Sequence, residues 1–166
     1  PRDGTAAVVS APKSRDFEIA RTTLIAGLLK SLRTNRGHAL PVRVFQIDDV
    51  VLCDENAETK ARNERRLCIA YCNRTSGLEN VHGILDKILQ VINAQSYSFE
   101  IKDRCYDLVL ETDNPTFLPG KCVSVMLKTN GGKDRVKLGV LGIIHPNVLK
   151  NFQLTNPVSV MELNLE

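Results

Sequence analysis

An α+β fold, an antiparallel sheet flanked by helices, is what this 166-residue chain predicts. Two observations carry that expectation. Segments with strand-like apolar density far outnumber those with helical periodicity, and turn-rich links of the hairpin kind join them. The composition allows a real core: the chain is 43% hydrophobic and 25% charged, and a chain this long buries roughly 70% of its extended surface. Its net charge of +3 is mild, well short of the balance typical of proteins that hold nucleic acid by charge alone. No apolar run approaches the ~20 residues of a membrane span, and the first residues lack the apolar stretch of a signal peptide. A soluble intracellular protein without membrane contact is the expectation.

Residues 1–15 carry Pro, Gly, Ala and Ser with little periodicity and read as a loose lead-in to one domain over 16–166. Leu24, Ile25, Leu28, Leu29 and Leu32 then fall at helical spacing, with Thr22 or Thr23 available as a cap and Arg33, Arg36 and Gly37 suited to the end. Gly27 inside this helix costs about 1 kcal/mol relative to Ala, which points to close packing by a neighbour. A strand over 41–47 continues through Val50, Val51 and Leu52. Residues 54–62 are polar and turn-like, and the basic run 60–66 reads as a loop. Residues 67–71 form a strand apolar on both faces, hence central. Val81, Ile84, Leu85, Ile88, Leu89 and Ile92 mark an amphipathic helix. Further strands are predicted at 97–101, 106–110, 122–127, 136–141 and 158–165, with a hairpin turn at 130–133 and a short helix over 147–152.

The chemistry-bearing residues form no self-contained active site. The chain has no nucleophile elbow, no phosphate loop and no metalloprotease motif. Its histidines, at 38, 82 and 145, lack metal-ligand spacing. The five cysteines, Cys53, Cys68, Cys72, Cys105 and Cys122, read as buried or half-buried free thiols, with Cys68 and Cys72 on one strand face. His145 before Pro146 reads as a hydrogen-bonded structural residue. Residues 115–120 read as a rigid turn that packs Phe117. Arg62, Arg65 and Arg66 suit either contact with RNA phosphates or local ion pairs on a solvated loop.

Ordered blocks across nearly the whole chain carry a resemblance. They are Phe17-Glu18-Ile19-Ala20-Arg21-Thr22-Thr23-Leu24 with Gly27-Leu28-Leu29-Lys30, Val44-Phe45-Gln46-Ile47-Asp48-Asp49-Val50, and Ala61-Arg62-Asn63-Glu64-Arg65-Arg66-Leu67. Val81-His82-Gly83-Ile84-Leu85-Asp86, Pro115-Thr116-Phe117-Leu118-Pro119-Gly120, Gly139-Val140-Leu141-Gly142 with His145-Pro146-Asn147, and Met161-Glu162-Leu163-Asn164-Leu165-Glu166 follow. Together they resemble the core domain of the phenylalanyl-tRNA synthetase β subunit of the archaeal and eukaryotic cytosolic type. Gln46, where that pattern has Glu, and Ala26, where it has Pro, are local departures.

The resemblance implies a class II synthetase-like domain, an inactive copy of a catalytic one. It implies cytoplasmic work beside a catalytic α subunit, which forms phenylalanyl-tRNA from Phe, ATP and tRNA with magnesium, in a heterotetramer of two α and two β subunits. No cofactor is implied for this segment. Laid on the class II motifs, the nucleotide-binding Arg falls near Leu52, which cannot hold phosphate, and Glu162 and Asn164 stand where glycines would. The first helix is then expected at the subunit interface, through Leu24, Gly27, Leu28, Leu29 and Leu32. An RNA-binding module using Arg62, Arg65 and Arg66 is the alternative, and a free-standing ligase is disfavoured by Leu52 and Glu162.

Overall fold

The computed structural model describes residues 6–9, 11–14, 18–92, 94–96, 104–129 and 134–165. In chain order its elements are α1 (Ile25–Thr34), β1 (Val42–Cys53), β2 (Ala61–Cys72), α2 (Leu78–Val91), β3 (Gln95–Ser96), β4 (Arg104–Leu110), β5 (Phe117–Thr129), β6 (Asp134–Ile144), α3 (Pro146–Asn151) and β7 (Val158–Asn164). The strands form one sheet in the order β1-β2-β7-β6-β5-β4-β3. Every pairing is antiparallel except that of the two-residue β3 with β4. The α+β expectation holds.

The register explains why the centre of the sheet is buried on both faces. Along β7, Val158 and Val160 join one core while the alternate Met161 and Leu163 join the other, as period-2 side chains must. On the first face α1 lays down Leu24, Leu28, Leu29 and Leu32 against Val50, Cys68, Ala70 and Val160, and α3 adds Leu149. On the second, α2 supplies Val81, Leu85 and Leu89 against Tyr71, Leu141 and Met161. Each fully buried leucine contributes roughly 1.5–3 kcal/mol. β2, expected to be central, lies between β1 and β7.

Several expectations shift. Residues 61–66 are not a loop: β2 starts at Ala61 and pairs with β1 along its whole length, from Cys53–Ala61 to Val42–Cys72. β1 likewise runs unbroken through Asp48 and Asp49, because Arg66 and Arg65 stand directly across from them. In the lead-in, Val8 pairs with Ile19, and the Val9 N–H donates to the Glu18 carbonyl at 2.9 Å. Cys53 is exposed, while the other four thiols are buried as expected. The strand expected at 97–101 and the turn expected at 130–133 lie outside the described residues; the residues flanking the latter, Thr129 and Asp134, pair.

Glycine is demanded where backbones crowd. A Cβ on Gly139 of β6 would lie 2.0 Å from the Glu162 carbonyl oxygen of β7. Gly77, which caps α2 with φ at 58°, would drive a Cβ to within 2.3 Å of the Tyr71 ring. On Gly142 a Cβ would lie 2.7 Å from the Lys121 carbonyl oxygen, so Gly139 and Gly142 both serve strand packing.

Candidate functional site

A cavity of about 720 Å³ opens between α1, α3, the starts of β2 and β6, and the end of β7. Its apolar floor includes Leu29, Phe117, Val140 and Phe152, and its polar wall is Arg62, Glu64, Arg66 and Glu162. Strand alternation builds that wall: Arg62, Glu64 and Arg66 are successive same-face residues of β2. Beside them β7 presents Glu162 and Asn164, on the cavity side of Val160.

Glu162 holds this wall together. Its carboxylate, almost fully buried, accepts the backbone N–H of Leu24 at 2.6 Å and the Thr23 hydroxyl at 3.0 Å. It also accepts Arg66 Nη1 at 3.2 Å. The Thr23 hydroxyl in turn accepts the Ile25 N–H at 3.2 Å. The Leu24 N–H at the start of α1 is thus satisfied by a residue 138 positions later, and the carboxylate sits at the positive end of the helix. Thr23 works in the cap as expected, but the formal cap position is Leu24. Arg66 bridges the two buried carboxylates, reaching Glu64 at 2.7 Å.

Every β2 arginine is engaged. Arg62 pairs with Glu64 at 3.2 Å and Asp54 at 3.7 Å. Arg65 pairs with Asp49 at 2.8 Å and holds that carboxyl below the ordinary range. Asp48 is lowered first by the Asp49 backbone N–H and then by Arg21, which lies 2.7 Å away. Lys137, at the cavity mouth, reaches Glu111 at 3.0 Å. Burial, with the Glu162 charge behind it, pushes the Cys68 thiol far up. Leu52, the expected position of the nucleotide-binding Arg, stands opposite Arg62 in the hairpin.

The residues expected at an interface divide. Leu24, Leu28, Leu29 and Leu32 are at most 4% exposed and fill the chain's own core. Gly27 is exposed, and a Cβ there would meet only the Gln46 side chain, at an ordinary 3.6 Å. The exposed large apolar side chains lie elsewhere. Phe45 and Ile47 of the edge strand β1 are 73% and 54% exposed, on the face opposite Val44. Their apolar alternation with Val42 and Val44 was the available signal. His145 caps α3 by accepting the Asn147 N–H at Nδ1, 3.1 Å away, the structural role expected of it. Phe117 is buried, also as expected. The Glu162 anchor was missed, although the alternation of Arg62, Glu64 and Arg66 marks a charged strand face.

Among the described residues, no group of His, Cys, Asp and Glu is arranged to hold a metal ion, and no helix is long and apolar enough to cross a membrane. The family model described as "Phenylalanyl tRNA synthetase beta chain CLM domain" matches residues 2–165. The chain is 43% identical over 155 residues to the phenylalanine–tRNA ligase β subunit of Drosophila melanogaster, covering 93% of this chain and 25% of that one. It is 35% identical over 164 residues to the Schizosaccharomyces pombe β subunit, covering 98% and 28%. To the Arabidopsis thaliana β subunit named as cytoplasmic it is 38% identical over 169 residues, covering 98% and 27%. The chain therefore spans about a quarter of the length of the curated relatives it matches.

Proposed function

The chain belongs to the phenylalanyl-tRNA synthetase β-chain family, and from that premise we propose that it is a non-catalytic, class II synthetase-like core, one unit over residues 16–166, which assembles with the catalytic α subunit. The observation that carries this reading is the state of the cavity wall. Its two buried carboxylates face the cavity, and Arg62, Arg66 and Lys137 are each paired with carboxylate. A triphosphate needs fixed cations at its charge; here it would meet Glu64 and Glu162 and find Leu52 in the expected Arg position. The residues do not fit ATP with magnesium, so both are assigned to the α subunit's site, in a cytoplasmic heterotetramer that acts on tRNA.

Assembly then falls to surfaces the core leaves open. Leu24, Leu28, Leu29 and Leu32 hold α1 on the sheet, leaving Ala26 and Gly27 on its outer side. Phe45 and Ile47 on the outermost strand offer the apolar anchors that partner contacts use. The test is light scattering on full-length β subunit mixed with α subunit. Phe45→Ser with Ile47→Ser should weaken the complex by tenfold or more and leave folding intact. Complex formation at undiminished affinity would remove β1 from the interface. ATP binding by the β subunit alone, lost in Arg62→Ala, would overturn the non-catalytic reading.

A further inference from the structure

The charges of this molecule are sorted along the sheet. Three stretches contain no Asp or Glu: residues 19–47, 67–78 and 138–161. The fold brings part of each to the same place. Val42 at the start of β1 pairs with Cys72 at the end of β2, which pairs with Val158 at the start of β7. A cleft of about 170 Å³ there is lined by Arg36 after α1, Val42, Cys72 and residues 153–156 after α3. Within a few residues of that cleft in sequence stand Lys30, Arg33, Arg74 and Lys150, all exposed, as is Arg36. None of these five cations makes an ion pair with a described residue. Arg43 is set apart on the other face of β1, over the Tyr71 ring at 5.8 Å.

We propose that this end of the sheet is a docking surface for the phosphodiester backbone of RNA. Cations gathered without carboxylates repel one another and build a local positive potential that a net charge of +3 conceals. Arginine predominates, and its fork matches phosphate oxygens bidentately. The cations sit on separate elements, which suits a backbone tracked over several phosphates better than one small anion. An acidic protein partner would be expected to bring apolar anchors to a matching surface. Here no large hydrophobic side chain is exposed among residues 30–43, 73–77 or 145–156; the surroundings are Asn35, His38, Asn73, Thr75 and Thr155. A polar, strongly positive surface is the mark of nucleic-acid interfaces. The RNA contact expected at Arg62, Arg65 and Arg66 thus moves to the opposite end, where the cations are free of carboxylate partners among the described residues.

The test uses the full-length β subunit in its native assembly and a fluorescein-labelled hairpin RNA, read by anisotropy across a potassium chloride series. Arg33→Glu, Arg36→Glu and Lys150→Glu together should weaken binding at least tenfold. They should also flatten the salt slope by about 2 to 3, as removal of three phosphate contacts requires. The neutral variant, with Gln at the same positions, should show the same direction and guards against misfolding of the reversed one. Unchanged affinity and slope in both variants would overturn the proposal. So would an equal loss in Arg62→Glu, which would make the effect non-local, or displacement of the RNA by poly-glutamate at matched charge, which would reassign the surface to an acidic protein segment. Complex formation with the α subunit, measured on the same variants, reports on the assembly reading separately.

Discussion

The two ends of the β1–β2–β7 sheet use the same side-chain types to opposite effect. At one end Arg62, Arg65 and Arg66 stand beside Asp49, Asp54, Glu64 and Glu162, each within 3.7 Å of a carboxylate. At the other end the cations face solvent with no carboxylate in the neighbouring stretches. The denser basic run in the sequence is the one whose charge is spent inside the fold. Cross-strand neighbours, not local density, decide which cations remain available to a partner. α1 joins the two ends: it starts on Glu162 and finishes beside Arg36.

That contrast can be broken at α1. Leu28→Asp places an unpaired carboxylate 4% exposed in the core under the helix, and should cost more than about 4 kcal/mol. Circular dichroism should show loss of the cooperative transition; a folded variant that only loses α-subunit binding would return the leucine stripe to the interface. Next comes Glu162→Ala, which strips the paired end of its shared acceptor. Removing one partner of a buried pair and the cap on α1 should cost about 3 kcal/mol, on the order of 10 °C in melting temperature.

A smaller effect tests the outer side of the cavity. The Ser124 hydroxyl donates to Glu111 and, ahead of opposing partial burial and of Lys137, holds that carboxyl below its ordinary value. A depressed carboxyl contributes stability above its unfolded value that is lost as pH falls through the folded one. Ser124→Ala should therefore raise the Glu111 titration seen by carbon NMR, move acid unfolding to higher pH, and cost about 1 kcal/mol near neutrality. The smallest change belongs to the unpaired end. Arg33→Gln with Arg36→Gln should alter stability by less than about 0.5 kcal/mol, because neither side chain pairs with a described residue. A substantial loss in urea titration would mean those arginines hold the fold and would erase the contrast. Thiol reactivity sharpens it further. In peptide mapping after iodoacetamide at pH 8, exposed Cys53 should label, while Cys122, pushed up to about 11 by burial and then by Glu111, should not.

Much of the fold was legible because it rests on local chemistry. The leucine spacing predicts α1, the 3-4 pattern predicts α2, and Pro146 after His145 marks the start of α3. The start of β2 was not legible. Residues 61–66 carry charges that no local rule makes strand-like, and they become a strand only because Asp48, Asp49 and Glu162 come to lie beside them. The cavity wall was half legible: Glu162 stood out as a misfit for a nucleotide site, but its partner, the start of α1, is far away in sequence.

The sequence alone determined the class of fold, the family and the amphipathic faces, since periodicity, turn residues and ordered motifs all lie along the chain. Tertiary structure decided which neighbour each face meets. It laid the leucines of α1 on the chain's own sheet and left Phe45 and Ile47 outside. It neutralised one group of arginines and exposed another. The physical reason is that burial and ion pairing depend on which strands lie side by side, and the insertion of β7 between β2 and β6 is set by contacts among residues distant in sequence.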